Sequence, residues 1–337
     1  MGLWDYFLKL ISVTQLSDIH LRVGENLSYR EHGDIVKTDT VIGENLVLDF
    51  LKENLDPEDM VEFLECRDFD FAVEKESIRF RVNAFWADGK IGMVLRLVES
   101  SIAKFEDLGL PPYMATIPSI ESGLVLVTGP TGSGKSTTLA ALIDLINASL
   151  PKHIITIEDP VEFKHTPKMC VINQREMGRD TGSFASALRA SLREDPDVIL
   201  VGELRDLETI QLALTAAETG HLVFGTLHTN SAPSTINRII DVFPPAQQEQ
   251  IRAQLAGTLR AVVTQRLFKR VDVSGRIAAF EVMICNTAIR NLIRENKIFQ
   301  IPNVMQTAKQ EGMLLMENAI RALIADRKIA ANSTLTT

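Results

Sequence analysis

Helical and extended hydrophobic patterns share the first hundred residues of this 337-residue chain. Apolar residues recur at helical spacing over 4–11, 44–52 and 57–64, whereas residues 17–23 have the pattern of a short strand. We therefore expect a small α+β unit in this part of the chain.

The clearest element of this unit is a predicted β-hairpin. Residues 78–85 and 91–98 both alternate in polarity, and the turn pair Asp88-Gly89 lies between them. With these two residues as the loop, the pairs on the apolar face are Phe80 with Leu97, Val82 with Leu95, and Ala84 with Met93. The opposite face then places Arg81 directly across from Arg96, with Arg79 one step along.

Two arginines directly opposite each other destabilise a sheet unless an anionic group neutralises them. Arg81 and Arg96 could both extend into solvent, or they could bind a phosphate, for which arginine is the preferred donor. The hydrophobic pattern leaves both interpretations open.

The second part of the chain has the pattern of an α/β fold. Residues 101–122 contain three prolines and are a plausible linker. From residue 123 onwards, short apolar runs alternate with helical segments, as in βαβ units around a parallel sheet. The runs cover residues 124–128, 154–157, 198–201 and 222–227.

The charge distribution supports a domain boundary near residue 100. The chain has a net charge of −9, and residues 1–100 alone hold 11 basic and 20 acidic residues. The rest of the chain is balanced, so the acidic character belongs to the first unit. An acidic chain without a basic tract is unusual for a nucleic-acid-binding protein.

Cysteine usage and hydropathy indicate the cellular compartment. Cys66, Cys170 and Cys285 are too few and too far apart for a disulfide framework or a zinc knuckle. No apolar run approaches the length of a membrane span, and no secretory signal is evident. We therefore expect a reduced, cytoplasmic protein.

A nucleotide-binding loop is the strongest motif in the chain. Residues 129–136 match the phosphate-loop pattern G-x-x-x-x-G-K-[ST], between an apolar strand and a helical segment from Thr137. The loop's backbone N–H groups would surround the phosphates, Lys135 would neutralise them, and Ser136 would ligate Mg²⁺. The expected nucleotide-binding residues are Gly129, Pro130, Thr131, Gly132, Ser133, Gly134, Lys135, Ser136 and Thr137.

Acidic residues follow two of the other apolar runs. Glu158, Asp159 and Glu162 follow the second run, and Glu203 follows the third. Because ligands bind at the carboxyl ends of parallel strands, we expect these acids to hold Mg²⁺ or to orient the attacking water. Helix capping, or an ion pair with Arg205 or Arg193, is the alternative interpretation.

Histidines lie at both ends of the fourth run. His228 follows it and could contact the γ-phosphate, whereas we expect His221, at its start, to be structural. The chain lacks the N-K-x-D sequence that selects guanine, which favours ATP over GTP.

Four segments resemble the motifs of secretion-superfamily ATPases. I-T-I-E-D-P-V-E-F (155–163), I-L-V-G-E-L-R-D (199–206) and G-H-L-V-F-G-T-L-H-T (220–229) resemble their Asp box, atypical Walker B motif and His box. A-I-R-N-L-I-R-E (288–295) resembles the motif of the PilT-like ATPases that retract type IV pili. The resemblance covers approximately residues 17–316.

This resemblance implies a homohexameric cytoplasmic motor at the inner membrane, which uses ATP and Mg²⁺ and acts on a PilC-like platform protein. It implies a PAS-like domain over 1–100, a RecA-like core over 123–285 and a helical region over 286–337. It implies that Glu162 activates water and that Glu203 is the acid associated with Mg²⁺. It also implies that Arg81, Arg96 and Arg79 reach the γ-phosphate and that His228 senses it. Glu158 and Asp159 stay candidate Mg²⁺ ligands because of their place after the second run.

The residue pattern of this last motif, without the resemblance, predicts an amphipathic helix. Ile289, Leu292 and Ile293 share one face, and Arg290 and Arg294 lie on another. A solvated surface helix is one interpretation. The resemblance implies instead an output surface needed for retraction, which consists of Ala288, Ile289, Arg290, Asn291, Leu292, Ile293, Arg294 and Glu295.

Several other functions remain open at the level of the sequence. An accessory PilU-like retraction ATPase shares most of these motifs. A RecA-like nucleic-acid motor and a regulatory nucleotide-binding module without turnover are the alternatives from other classes. Pilus-assembly and type II secretion relatives usually carry a four-cysteine zinc module, which three cysteines cannot form.

Overall fold

The computed structural model describes residues 2–14, 16–31, 34–76, 78–98 and 102–333. The chain forms two compact units, Met1–Ser101 and Ile102–Thr337.

The first unit combines an antiparallel sheet with helices. Its elements are α1 (Leu3–Val13), β1 (Leu16–Arg22), β2 (Asn26–Glu31), β3 (Asp34–Val41), α2 (Glu44–Asn54), α3 (Pro57–Cys66), β4 (Asp68–Lys75), β5 (Ile78–Ala87) and β6 (Lys90–Val98). The strand order is β3-β2-β1-β6-β5-β4. Aromatic rings of α1, α2 and β5 form the core, where Phe7 lies 5.7 Å from both Phe50 and Phe80 between ring centroids.

The structure confirms the predicted hairpin and its register. Asp88 and Gly89 both have positive φ, at 53° and 70°, as the tightest hairpin turn requires. The three predicted apolar pairs are all present, and Arg81 lies directly opposite Arg96. The hairpin also has a partner that the sequence did not reveal. Asp18, on the neighbouring strand β1, lies opposite Arg96 of β6 and accepts a hydrogen bond from its Nε at 2.8 Å.

The second unit is a mostly parallel sheet covered by helices. Its elements are two 3₁₀ helices (Phe105–Leu108 and Pro112–Ser119), β7 (Gly123–Thr128), α4 (Lys135–Ser149), β8 (His153–Glu158), β9 (Val171–Glu176), α5 (Phe184–Ser191), β10 (Val198–Val201), α6 (Leu207–Glu218), β11 (Leu222–Leu227), α7 (Ala232–Asp241), α8 (Pro245–Thr258), β12 (Leu259–Lys269), β13 (Arg276–Ile284), α9 (Thr287–Arg294), 3₁₀ helix Ile298–Gln300, α10 (Ile301–Thr307), 3₁₀ helix Lys309–Glu311 and α11 (Met316–Ala325). The strand order is β13-β12-β7-β11-β10-β8-β9, and only β13 pairs antiparallel with its neighbour.

Helices on both faces of this sheet explain its continuous apolar runs. Every residue of β7, β10 and β11 is buried. On β7, Leu124 and Leu126 pack into one core cluster, whereas Val125 and Val127 pack into the cluster on the other face. Burial on both faces is typical of central strands in a parallel sheet.

The segment expected to be a linker packs onto this second unit. Met114 and Ile117, in the longer 3₁₀ helix, are both 0% exposed and belong to the same cluster as Leu142 of α4. The segment is thereby held against the helix that follows the phosphate loop.

A buried carboxylate links the start of two helices to the sheet. Glu281 on β13 is 7% exposed and accepts hydrogen bonds from Ala232 N at 2.8 Å and Met316 N at 3.4 Å. Burial raises the pKa of Glu281, and the two N–H donors partly oppose that effect. The carboxylate therefore ties α7 and α11 to the same strand.

In the part of the chain that the structure describes, every helix falls short of the length and apolar character that crossing a bilayer demands.

Candidate active site

The phosphate loop connects β7 to α4 in the predicted place. Gly129, Gly132 and Gly134 have φ values of 143°, 75° and 87°, which favour residues without a side chain. Helix α4 begins at Lys135, so the loop ends at a helix N-terminus, where backbone N–H groups and partial positive charge favour phosphate.

Lys135 extends back along this loop. Its Nζ donates to Gly129 O at 2.9 Å and to Pro130 O at 3.1 Å. Burial lowers the pKa of Lys135, whereas nearby Glu203 and Glu162 act in the opposite direction. The ammonium therefore lies close to both candidate acids.

The sheet brings the other strand ends to the same edge. β10 lies between β8 and β11 in parallel register, so Glu158, Gly202 and His228 are at or just beyond the ends of neighbouring strands. Gly202 N donates to Ile157 O at 2.8 Å, which holds the segment of Glu203 beside β8.

A cleft of about 200 Å³ lies where these strand ends meet the phosphate loop. Nine of the predicted site residues line it, namely Thr131, Gly132, Lys135, Ser136, Glu158, Asp159, Glu162, Glu203 and His228. Pro160, Phe184, Gly202, Arg205 and Thr226 complete its lining. The predicted residues Gly129, Pro130, Ser133, Gly134 and Thr137 belong to the loop or its helix but do not line the cleft.

Glu203 has two partners within the cleft. Arg205 lies 2.7 Å from one carboxylate oxygen, and His228 Nε2 lies 3.3 Å from the other. Burial by itself would raise the pKa of Glu203, but the bonds and charges of Arg205 and His228 lower it overall. The alternative of an ion pair with Arg205 is therefore confirmed, and Glu203 faces the cleft at the same time.

The acids that follow β8 differ in their surroundings. Glu158 accepts hydrogen bonds from Thr156 Oγ1 at 2.7 Å and Gln174 Nε2 at 3.3 Å, and burial raises its pKa. Asp159 and Glu162 are both exposed at the cleft. A carboxyl whose pKa is raised is the poorer cation ligand, so Glu203 fits that role better than Glu158.

The oxygen ligands available in the cleft suit Mg²⁺, but they are too few to hold a metal ion without help from substrate or water. Within the described ranges, His, Cys, Asp and Glu side chains form no group of three that could hold a metal ion. The cleft offers the Ser136 hydroxyl and the Glu203 carboxylate, both oxygen ligands of the kind Mg²⁺ prefers. Mg²⁺ is usually held by one or two such groups together with substrate phosphates and water.

The two histidines occupy different environments. His221 Nδ1 lies 2.9 Å from Ala216 O, at the turn between α6 and β11, which agrees with the structural role expected from the sequence. His228 is exposed in the cleft and contacts Glu203.

The candidate arginines lie on the sheet of the first unit. Arg81 is exposed, and the side chain of Arg96 is 71% exposed despite its bond to Asp18. Arg79 is 8% exposed, so its guanidinium is much less accessible than those of the other two.

The A-I-R-N-L-I-R-E segment forms the predicted amphipathic helix. Within α9, Ile289 and Ile293 are 0% exposed, whereas Leu292 is only partly buried. Arg294 is exposed, but Arg290 is half-buried and donates from Nε to Cys285 O at 3.2 Å. Only one of the two arginines is therefore fully presented to solvent.

The predicted site omitted several residues that shape this cleft. Thr226 and Phe184 line the cleft, and Gln265 on β12 contacts the phosphate loop from behind. Thr226 lies within the quoted segment 220–229, which could have indicated it. Phe184 and Gln265 are distant in sequence from every motif, so only folding brings them to the site.

Comparison with known proteins places the chain among secretion ATPases. The family model described as "Type II/IV secretion system protein" matches residues 5–332, which extends beyond the 17–316 expected from the motifs. The Pseudomonas aeruginosa protein named "Type IV pilus retractation ATPase PilT" is 48% identical over 92% of this chain and 90% of its own length. A "Twitching motility protein" of Neisseria gonorrhoeae is 54% identical over 77% of this chain and 70% of its own length.

A more distant relative and a solved structure are also similar to this chain. The Pseudomonas aeruginosa "Type IV pilus ATPase PilU" is 35% identical over 98% of this chain and 87% of its own length. A crystal structure described as the pilus retraction motor PilT with bound ADP is 43% identical. It superposes with a TM-score of 0.86 and covers 96% of this chain and 97% of that one.

Proposed function

The chain belongs to the type II/IV secretion system protein family, and we propose that it is a motor ATPase that drives the retraction of type IV pili. The observation that carries this proposal is the convergence of Lys135, Ser136, Glu162, Glu203 and His228 on one cleft. The PilT and twitching-motility relatives supply the biological context.

Hydrolysis would proceed by attack of water on the γ-phosphorus of ATP. Glu162, exposed in the cleft, accepts the proton of the attacking water while the bond between the γ-phosphorus and the bridging oxygen breaks. ADP leaves with the electron pair of that bond, and inorganic phosphate is the second product. Lys135 stabilises the charge that develops on the phosphate oxygens.

Ser136 and Glu203 would hold Mg²⁺, with Asp159 reaching it through water. The ion, when bound, neutralises charge on the β and γ phosphates. Arg205 and His228 keep Glu203 ionised and oriented toward the cleft. His228, exposed in the cleft beside Glu203, would sense the γ-phosphate.

The arginine face of the first unit would complete the site in a homohexamer. Arg81 and Arg96 present guanidinium groups on one exposed face of the hairpin, where an anion would relieve their repulsion. We assign them to the ATP of a neighbouring subunit. Arg79 contributes less, because it is largely buried.

The motor's output would pass through α9 to a PilC-like platform protein at the cytoplasmic face of the inner membrane. Arg294 is the better probe of this surface, since Arg290 also bonds to the backbone of Cys285. Arg294→Ala should leave ATP hydrolysis within about twofold of wild type, as an exposed surface change does, but should abolish twitching. Normal twitching in that strain would contradict the assigned surface.

A steady-state phosphate-release assay tests the enzymatic part of the proposal. Lys135→Ala should lower turnover at least about 100-fold, because it removes charge stabilisation on the phosphates. Glu162→Gln should lower turnover about 100- to 10,000-fold while ATP still binds. Unchanged turnover in Lys135→Ala would refute the site, and a wild-type protein without turnover would favour the regulatory module.

A clean deletion tests the cellular role. Hyperpiliated cells that cannot twitch would support retraction, whereas bald cells would indicate assembly instead. The accessory PilU-like role is the remaining candidate, and the A-I-R-N-L-I-R-E helix and the higher identity to PilT favour the principal enzyme. Turnover stimulated by DNA would support the nucleic-acid motor.

A further inference from the structure

Gln265 occupies an unusual place behind the phosphate loop. It lies on β12, the strand beside β7, and is 3% exposed. Its Nε2 donates to Ser133 O at 2.6 Å, and its Oε1 accepts from Thr138 Oγ1 at 2.7 Å. One buried amide therefore joins the loop, the helix that follows it and a strand that is remote in sequence.

The orientation of this amide follows from its partners. A backbone carbonyl such as Ser133 O can only accept, so the amino group of Gln265 must face it. The amide oxygen then faces Thr138, whose hydroxyl donates. Both polar ends of a buried side chain are satisfied, which is how an amide contributes to a defined local geometry.

Gln265 also explains two glycines of the motif. A Cβ on Gly129 would lie 2.3 Å from Gln265 O, and a Cβ on Gly134 would lie 2.8 Å from Gln265 Nε2. Both are closer than real side-chain contacts allow. The glycines thus admit the backbone and amide of β12, in addition to supplying positive φ.

The groups held by Gln265 are those that must be aligned before phosphates can bind. Ser133 lies two residues before Lys135, and Thr138 lies in the first turn of α4. When these groups are already aligned, less of the binding free energy is lost to ordering the loop. We propose that Gln265 is a positioning residue that fixes the shape of the phosphate loop and thereby sets its affinity for ADP and ATP; this inference rests on the proposed ATPase function.

The test compares Gln265→Glu with wild type. The substitution keeps the size of the side chain and the acceptor for Thr138, but it places a carboxylate oxygen against Ser133 O. The dissociation constant for fluorescently labelled ADP should rise at least about tenfold, which corresponds to about 1.4 kcal/mol. KM for ATP should rise more than kcat falls, because the loop holds the phosphates in both ground and transition states.

A second variant and a control separate positioning from stability. Thr138→Val leaves Gln265 in place but removes the donor that orients its amide, and it should weaken ADP binding by about threefold, as the loss of one modest hydrogen bond does. The control changes Thr128 and Thr264 together to Val. Their hydroxyls bond to each other at 2.9 Å, both residues are 0% exposed, and they lie one residue from the loop and from Gln265.

The control should shift the melting temperature but keep ADP affinity within twofold of wild type. Weakened ADP binding in both single variants, with that control unaffected, supports the proposal. ADP affinity within twofold of wild type in both variants overturns it, whatever their melting temperatures. A wild-type protein that binds neither ADP nor ATP overturns the proposed function and this inference with it.

Discussion

At the scale of single residues, the cleft depends on how each ionisable group is surrounded. Glu203 and Glu158 are both acids at strand ends, yet the pKa of the first is lowered and that of the second is raised. Burial raises the pKa of Glu158, whose hydrogen-bond donors Thr156 and Gln174 are neutral. At Glu203, by contrast, the bonds and charges of Arg205 and His228 outweigh burial. Equivalent positions in the sequence pattern therefore acquire different chemistry.

The pKa of His165 shows how burial can change the charge of a side chain. Its Nδ1 has no hydrogen-bond partner among the described residues, and burial lowers the pKa of His165 to about 4 from its ordinary 6.5. Asp144 opposes this shift and Lys168 adds to it. The side chain is therefore neutral in the folded protein under ordinary conditions.

Because the folded pKa lies below the unfolded value, the neutral His165 stabilises the protein above pH 6.5, and this contribution is lost as the pH falls toward about 4. Between about pH 7 and about pH 5, wild type should lose about 2 kcal/mol more unfolding free energy than His165→Gln does. Urea unfolding at the two pH values measures the difference. Parallel losses in both proteins would contradict the assignment.

At the scale of elements, the hairpin of β5 and β6 depends on a strand outside it. Asp18 on β1 contacts Arg96, which otherwise faces Arg81 across the sheet. Burial by itself would raise the pKa of Asp18, but the hydrogen bonds from Arg96 and Ser17 lower it overall. The ion pair reduces the repulsion that the hairpin sequence alone predicts.

Asp18→Asn should therefore destabilise the first unit by about 1 kcal/mol, a modest value because Arg96 is largely exposed to solvent. Adding Arg81→Ser to Asp18→Asn should recover part of that loss, because it removes the like charge. Denaturant unfolding measures both effects. Asp39→Asn, at an exposed position of β3, serves as the control and should change stability little; an equal loss in that variant would indicate a general charge effect instead.

At the scale of the whole molecule, the proposed hexamer places complementary parts of one site on different subunits. Lys135→Ala retains the arginines, and Arg81→Ala/Arg96→Ala retains the phosphate loop. When the two variants are co-expressed, some interfaces in mixed rings join an intact loop to intact arginines. Random mixing in a head-to-tail ring would give about a quarter of the wild-type interfaces.

Co-expression should consequently restore measurable ATP turnover, although each variant alone is nearly inactive. The matched control mixes Lys135→Ala with a chain that carries all three substitutions, which leaves no intact loop in any ring. If turnover in the test mixture does not exceed that control, the arginines do not act on a neighbouring subunit's ATP.

Much of the fold follows from local patterns that folding preserves. Strands β7, β10 and β11 and the hairpin register were predicted because their apolar runs and Asp-Gly turn are strong local signals. The predictions omitted six strands, namely β2, β3, β4, β9, β12 and β13. In β2 and β3, for example, nearly every residue is partly or fully exposed, so no apolar period marks them. Strands without a clear apolar period are recognisable only once their hydrogen-bonding neighbours are known.

The phosphate loop, the acids after two apolar runs and the family could be recognised in the sequence, because they depend on residue types at short, fixed spacings. The sequence did not reveal which acid is held ionised, which arginine is accessible or that Gln265 bonds to the loop. These properties depend on burial and on partners that are distant along the chain, such as Asp18 for Arg96 and Gln265 for Ser133. Such partners meet because the register of the sheets aligns them, and no local pattern records that alignment.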